Sequence, residues 1–174
     1  MTGAAGETIV RMSELSVSST PGHVLASIGL GSCIGLVLIE TSRPLAGLAH
    51  IMLPSSNGDS DAPVGKFADR AVPALLEKMV SAGAVRTRLE AVLVGGAQMF
   101  SFGSSTNLDI GRRNEQATRE AVARAGIEVR AAATGGGKGR TVRVCVGTGL
   151  VTVKEPGKAE VELFARAVAA GRPG

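Results

Sequence analysis

The stretch IGLVLIETSRPLAGLAHIMLP, residues 34–54, has the composition of a buried β-hairpin. Residues 34–39 form a continuous apolar run with several β-branched side chains, and residues 46–53 have the composition of its return partner. The tripeptide Ser42-Arg43-Pro44 between the two runs is typical of a turn. We therefore expect two antiparallel strands, the second of which carries His50.

Other strands and a helix are predicted around this hairpin. Strand-like composition is found over residues 8–18, 24–28, 89–94, 127–133, 141–146 and 150–154. A helix is expected from near Phe67 to the stop signal at Gly83. Because proline is costly inside a helix, this helix should begin shortly before Pro73 or kink there.

Two more helices are predicted in the second half of the chain. The first covers residues 114–125, with Asn114 as its N-cap and Gly126 after its end. The second rests on helical spacing alone, in the set Val161, Phe164, Ala165 and Val168.

Composition limits the class of protein. With 174 residues and 44% hydrophobic content, we expect one domain over residues 1–174. No apolar run approaches the roughly 20 residues of a membrane-spanning helix, so we expect no membrane insertion. Cys33 and Cys145 lie in apolar runs without a secretory signal, which favours a reducing, cytoplasmic location. Two histidines, no Cys-x-x-Cys pair and no phosphate-binding glycine motif argue against a metal or cofactor.

The net charge of +4 is unevenly distributed. Between Glu128 and Glu155 there are basic residues and no acidic ones, namely Arg130, Lys138, Arg140, Arg143 and Lys154. This basic segment is either a solvated loop and strand edge or a face for an acidic partner. The absence of Trp and Tyr argues against a platform for single-stranded nucleic acid.

The segment LGSC before the hairpin has the components of a nucleophilic thiol. A catalytic cysteine needs access, a base, and donors for the oxyanion that forms on attack. Gly29, Gly31 and Gly35 remove side chains around Cys33, and a turn there can aim the amides of Ser32 and Cys33 into one pocket.

His50 is the candidate base. A hairpin centred between Thr41 and Ser42 would place Cys33 nearly opposite His50, and directly opposed Cβ atoms lie about 4.5–5.5 Å apart. A different turn centre would leave the two residues diagonal to each other.

A third group should orient the imidazole. The hydroxyl of Ser27 is the first candidate, and the carboxylates of Asp59 and Asp69 are alternatives. The competing interpretation is structural: buried cysteines are most often small hydrophobes, and lone histidines most often satisfy local hydrogen bonds.

Six motifs in order add to this hypothesis: LGSCIGLVL, AHIMLP, GKFAD, VGGAQMF, IGRRN and TGGGKGR. Together they resemble the CheD family of bacterial chemoreceptor glutamine deamidases. The resemblance implies an α+β fold, a mixed β-sandwich flanked by helices, similar to the catalytic domain of the cytotoxic necrotizing factor toxins. It also implies that Cys33 is the nucleophile and His50 the base. The family usually has threonine where this chain has Ser27, which keeps the hydroxyl and loses the methyl group.

The resemblance further implies a reaction and partners. Deamidation would proceed through a thioester, and methylated glutamate could enter by the same route. The substrate would be the cytoplasmic helices of chemoreceptors, with a CheC-type phosphatase as a second partner. Candidate interface segments are residues 55–65, 96–102 and 138–143. Two alternatives stay open: a non-catalytic docking module in chemotaxis signalling, and a cysteine amidase or transglutaminase for other proteins.

Overall fold

The computed structural model describes residues 6–98 and 109–165. In these ranges the chain forms an α+β fold, as expected. The strands are β1 (Glu7–Ile9), β2 (Leu15–Ser18), β3 (Val24–Leu30), β4 (Ile34–Glu40), β5 (Ala46–Ile51), β6 (Leu89–Gly95), β7 (Glu128–Thr134), β8 (Arg140–Cys145), β9 (Val151–Lys154) and β10 (Val161–Phe164). The helices are α1 (Ala68–Ser81) and α2 (Ile110–Arg124), with a short 3-10 turn at Arg86–Arg88.

The strands form two five-stranded mixed sheets. Sheet 1 has the order β1-β3-β8-β9-β10, and sheet 2 has the order β2-β5-β4-β6-β7. One apolar cluster lies between the sheets, and a second joins sheet 2 to the helices. β4 contributes to both: Leu36 and Leu38 pack towards the helices, while Val37 and Ile39 pack towards sheet 1. Burial on both faces explains why this strand is a continuous apolar run.

The predicted hairpin is formed by β4 and β5, with a register that differs slightly from the expected one. Gly35 pairs with His50, so the turn is centred one residue later than the sequence suggested. Cys33 lies just before β4 and is therefore diagonal to His50 rather than opposite it. Diagonal neighbours in a sheet are about 7–8 Å apart, a separation that long side chains can bridge.

The prediction of one strand over residues 8–18 is wrong. The chain turns between β1 and β2, where Ser13 has a φ of 72°, and the two strands join different sheets. The Ser13 amide donates to the carbonyl of His50, and Val10 donates to the carbonyl of Ala26. This corner therefore joins both sheets beside β5.

The helix predictions had mixed outcomes. α1 begins at Ala68, shortly before Pro73, which was one of the two alternatives. The N-cap prediction for Asn114 is wrong, because α2 begins four residues earlier, at Ile110. Gly111 in its first turn packs against the carbonyls of Gly96 and Ala97, where a Cβ atom would overlap them. Neither described helix has the length and apolar composition needed to cross a membrane.

The predicted C-terminal helix is also wrong over the residues that the structure describes. Residues 161–164 form β10, which pairs antiparallel with β9. Pairing with an available sheet edge outweighs the local helical spacing here. Val168, the last member of that predicted set, lies outside the described residues.

Most of the basic segment is neutralised by acidic residues from distant parts of the chain. Arg130 pairs with Glu90 at 3.1 Å, Arg140 with Glu155 at 3.4 Å, and Arg143 with Glu7 at 2.9 Å. Among the described residues, Lys138 and Lys154 take part in no ion pair. The segment therefore carries less uncompensated charge than its sequence suggests.

Candidate active site

Cys33 lies in the turn between β3 and β4. Backbone hydrogen bonds join this turn to a second glycine-rich turn. The Cys33 carbonyl accepts a hydrogen bond from the Gly96 amide at 2.9 Å, and the Gly31 carbonyl accepts one from Ala97 at 2.8 Å. A Cβ atom at Gly95 would overlap the Cys33 carbonyl, and Gly95 has a φ of 115°. Glycine is therefore required there by both space and backbone conformation.

The thiol of Cys33 is half-buried against the cluster between the sheets. Burial raises the pKa of this thiol above its ordinary value, because the thiolate is less well solvated. The amides of Ser32 and Cys33, the predicted oxyanion donors, have no acceptor within residues 6–98 and 109–165.

His50 is buried on β5, on the side that faces sheet 1. Its Nδ1 donates a hydrogen bond to the Val10 carbonyl at 3.1 Å. Because a carbonyl can only accept, this bond leaves Nε2 as the basic nitrogen. Burial lowers the pKa of His50, and the Val10 carbonyl and the charge of Glu14 only partly oppose this effect.

The hydroxyl of Ser27 also reaches Val10. It is completely buried and donates to the same carbonyl oxygen at 2.8 Å. The sequence suggested that Ser27 would bond to the imidazole itself, and the structure gives a shared acceptor instead. The carboxylate alternatives bind elsewhere: Asp69 accepts from Ser56, and Asp59 accepts from the amide of Asp61.

The described hydrogen bonds include none between the thiol of Cys33 and His50. With the thiol pKa raised and the imidazole pKa lowered, both groups are neutral near pH 7. General-base activation of a thiol requires its sulfur to come within hydrogen-bond distance of the base.

Sequence reasoning missed one buried residue beside this turn. Asn114, on α2, donates from Nδ2 to the carbonyls of Ser32 at 2.8 Å and Met52 at 2.7 Å. The residue is fully buried, as is Thr118 one turn later. The spacing of Asn114, Thr118 and Ala121 along one helix face could have indicated an inward-facing asparagine.

A cysteine and a histidine at one end of a hairpin, beside backbone amides that have no acceptor among the described residues, are components found in enzymes that transfer acyl groups through a thiol. The chain belongs to the CheD family: the family model described as CheD chemotactic sensory transduction matches residues 52–155. Residues 99–102 of the expected interface lie outside the described part of the structure.

Relatives in the family are similar over most of their length. A protein of Symbiobacterium thermophilum is 43% identical over 88% of this chain and 95% of its own, and one of Clostridium botulinum is 42% identical over 90% and 98%. A protein of Methanococcus vannielii is 38% identical over 84% and 93%. Each is named "Probable chemoreceptor glutamine deamidase CheD". Because each match covers at least 84% of this chain, it includes the positions of Cys33 and His50 wherever it begins and ends.

Solved structures give weaker likenesses. The hypothetical protein YfiH of Bacillus licheniformis has a TM-score of 0.44 and 13% identity over 68% of this chain. The chain spans about half, 51%, of that structure.

Proposed function

We propose that this protein is a glutamine deamidase that converts specific glutamines of bacterial chemoreceptors to glutamate during chemotaxis. The names and the 35–44% identity of its curated relatives support the reaction and the substrate. One structural observation carries the mechanism: Cys33 and His50 lie diagonally at one end of the same hairpin, and Val10 fixes the imidazole tautomer. All the catalytic groups in this mechanism belong to this chain.

The first half of the reaction forms a thioester. Nε2 of His50 takes the thiol proton as Sγ of Cys33 attacks the side-chain carbonyl carbon of the glutamine. The carbonyl oxygen becomes an oxyanion, which the amides of Ser32 and Cys33 stabilise. The tetrahedral intermediate collapses when His50 returns the proton to nitrogen, and ammonia leaves.

The second half releases glutamate. Water replaces ammonia, His50 removes a proton from it, and the resulting hydroxide attacks the thioester carbonyl. The second tetrahedral intermediate expels the Cys33 thiolate, which regains its proton from His50. The net change is one amide plus one water to one carboxylic acid plus ammonia, without a cofactor.

The proposal includes a location and a second partner. A cytoplasmic location brings the enzyme to the cytoplasmic receptor helices and keeps the Cys33 thiol reduced. A CheC-type phosphatase would cover the surface around Cys33. Lys138 and Lys154, which lack ion pairs within the described residues, are the cations that could attract glutamate-rich receptor helices.

Mass spectrometry of a receptor cytoplasmic fragment tests the proposal. The fragment is incubated with the protein, with Cys33→Ala or with His50→Ala, and each glutamine is examined for conversion to glutamate. Cys145→Ala is the matched control, because Cys145 is the other partly exposed free cysteine. We expect conversion by the wild-type protein and by Cys145→Ala only.

Two results would change the proposal. Conversion that persists in folded Cys33→Ala would exclude the thioester mechanism. Binding of the receptor fragment without conversion, by all four proteins, would favour the non-catalytic docking module.

A further inference from the structure

Asn114 joins the two chain segments that carry the proposed catalytic groups. One hydrogen of its Nδ2 is donated to the Ser32 carbonyl, next to Cys33, and the other to the Met52 carbonyl, just beyond His50. In a continued β4–β5 register, residue 33 would lie opposite residue 52. The side-chain amide thus bridges the open end of the hairpin, where the ladder between β4 and β5 has ended.

The bond to Ser32 acts directly on a proposed oxyanion donor. The carbonyl of Ser32 and the N–H of Cys33 belong to one peptide group, and this peptide bond is trans. In a trans peptide the C=O and N–H bonds point in opposite directions. Asn114, by holding the carbonyl on one side, fixes the direction of the Cys33 N–H on the other.

The same bond also strengthens the donor. A peptide carbonyl that accepts a hydrogen bond polarises its own group, so the N–H becomes a better donor. The Cys33 N–H has no acceptor of its own in the described part of the chain.

We propose that Asn114 is a positioning residue that orients and polarises the Cys33 amide for the oxyanion. This inference rests on the proposed thioester mechanism and adds a residue from α2 to it.

The side chain of Asn114 also carries a group that the described residues do not satisfy. Its Oδ1 is buried and has no hydrogen-bond partner within residues 6–98 and 109–165. An unsatisfied buried acceptor costs stability. An apolar residue would remove this cost but would also remove both donors.

Two variants of Asn114 and one control distinguish a role of Asn114 in positioning the Cys33 amide from a contribution to core packing. Asn114→Leu has a similar size but no donor, and Asn114→Ala removes the side-chain amide without adding bulk. Thr118→Val is the matched control: Thr118 is equally buried on the same helix, and its hydroxyl has no partner in the described residues.

Three properties of each full-length protein are measured. Deamidation of the receptor fragment gives kcat and KM. Hydrolysis of p-nitrophenyl acetate, an activated ester, reports oxyanion formation without the receptor. The rate of Cys33 alkylation by iodoacetamide reports the reactivity of the thiol alone, because alkylation forms no oxyanion.

We expect Asn114→Leu to lower kcat for both substrates by about 10- to 100-fold. KM and the alkylation rate should stay within about threefold, because binding and the thiol are unchanged. Thr118→Val should behave as the wild-type protein. If Asn114→Leu does not fold, Asn114→Ala decides the same comparison.

The proposal is overturned if folded Asn114→Leu or Asn114→Ala keeps the wild-type kcat. It is also overturned if kcat and alkylation fall by the same factor, since Asn114 would then act on the thiol. A wild-type protein that hydrolyses the ester through Cys33 but not the receptor amide would contradict only the proposed substrate, and the ester would still decide the role of Asn114. Absence of both Cys33-dependent reactions would overturn both proposals.

Discussion

Ser27 and His50 meet at one atom, the carbonyl oxygen of Val10, which accepts a hydrogen bond from each of them. Val10 follows β1, where the chain passes from sheet 1 towards sheet 2. The carbonyl fixes the tautomer of His50, and Ser27 helps to fix the carbonyl. A hydroxyl on β3 therefore acts on the imidazole through the backbone.

This arrangement predicts a moderate effect for Ser27→Ala. His50 keeps its bond to Val10, so we expect kcat to fall by less than about tenfold and stability by about 1 kcal/mol. Ser27→Thr keeps the hydroxyl and should retain most of the activity. Receptor deamidation and urea unfolding of both variants, beside His50→Ala, measure these effects. Complete loss of activity in a stable Ser27→Ala protein would mean that the hydroxyl contacts the reacting groups directly.

The protonation states of Cys33 and His50 predict how alkylation depends on pH. Burial raises the thiol pKa, so little thiolate is present near neutrality, and the alkylation rate should still rise above the pH at which an ordinary thiol is half ionised. Iodoacetamide rates between about pH 6 and pH 10, with Cys33 identified by peptide mapping, measure this dependence.

The control for this pH profile is Cys145, the other free cysteine of the described chain. Its alkylation, followed in a Cys33→Ala background, supplies the comparison within one fold. A rate at Cys33 that is already maximal near pH 6 would instead indicate a preformed thiolate–imidazolium pair. That result would contradict the neutral resting state derived from burial.

Side-chain chemistry made part of this site predictable. Cys33 and His50 could be proposed because only a few residue types serve as nucleophile and base, and because the hairpin around them has a strong apolar pattern. The role of Val10 had no signal, since a backbone carbonyl is present at every residue. The role of Asn114 depends on the packing of α2 against the hairpin, which local sequence does not specify.

Similar reasons explain the errors in the predictions of the fold. The break between β1 and β2 depends on one residue, Ser13, with a left-handed backbone conformation that serine rarely adopts. β10 forms because β9 presents a free edge, and an edge provides hydrogen bonds that helical spacing does not anticipate. A local backbone conformation decided the first case, and long-range strand pairing decided the second.

The close approach of Gly95 to Cys33 predicts that Gly95→Ala disrupts the active turn. The new Cβ would overlap the Cys33 carbonyl, and neither backbone can yield without moving the turn. We expect a loss of about 2–4 kcal/mol in the free energy of unfolding. Deamidation by the remaining folded protein should also fall, since the Cys33 turn is displaced.

Gly126→Ala is the control for Gly95→Ala. Gly126 also has a positive φ, 75°, but a Cβ there would meet nothing within 4 Å. This variant should lose only about 1–2 kcal/mol of stability, which is the cost of a left-handed conformation for alanine, and it should keep its activity. Equal losses in the two variants, measured by urea unfolding, would show that backbone strain explains both and that the contact with Cys33 adds nothing.

At the other end of β4, the carboxylate of Glu40 is fully buried and closes the hairpin turn. It accepts hydrogen bonds from the amide and hydroxyl of Ser42 at 2.6 and 2.9 Å and from the amide of Val85 at 3.2 Å. Burial by itself would raise the pKa of Glu40, but these bonds and the charge of Arg43 lower it below its ordinary value.

Because its folded-state pKa is lowered, Glu40 stabilises the fold above the unfolded-state pKa, and this contribution is lost as the pH falls through the folded-state value. Glu40→Gln replaces one accepting oxygen with an NH₂ group and should lower stability by about 1–3 kcal/mol near pH 7. The deficit relative to wild type should be smaller at about pH 4, because the unfolded wild-type chain binds a proton at this carboxylate before the folded chain does. Urea unfolding at both pH values measures it, with Glu128→Gln, whose side chain is 72% exposed, as the control. A deficit that is the same at both pH values would mean that the shape of the turn, rather than the charge of Glu40, stabilises the hairpin.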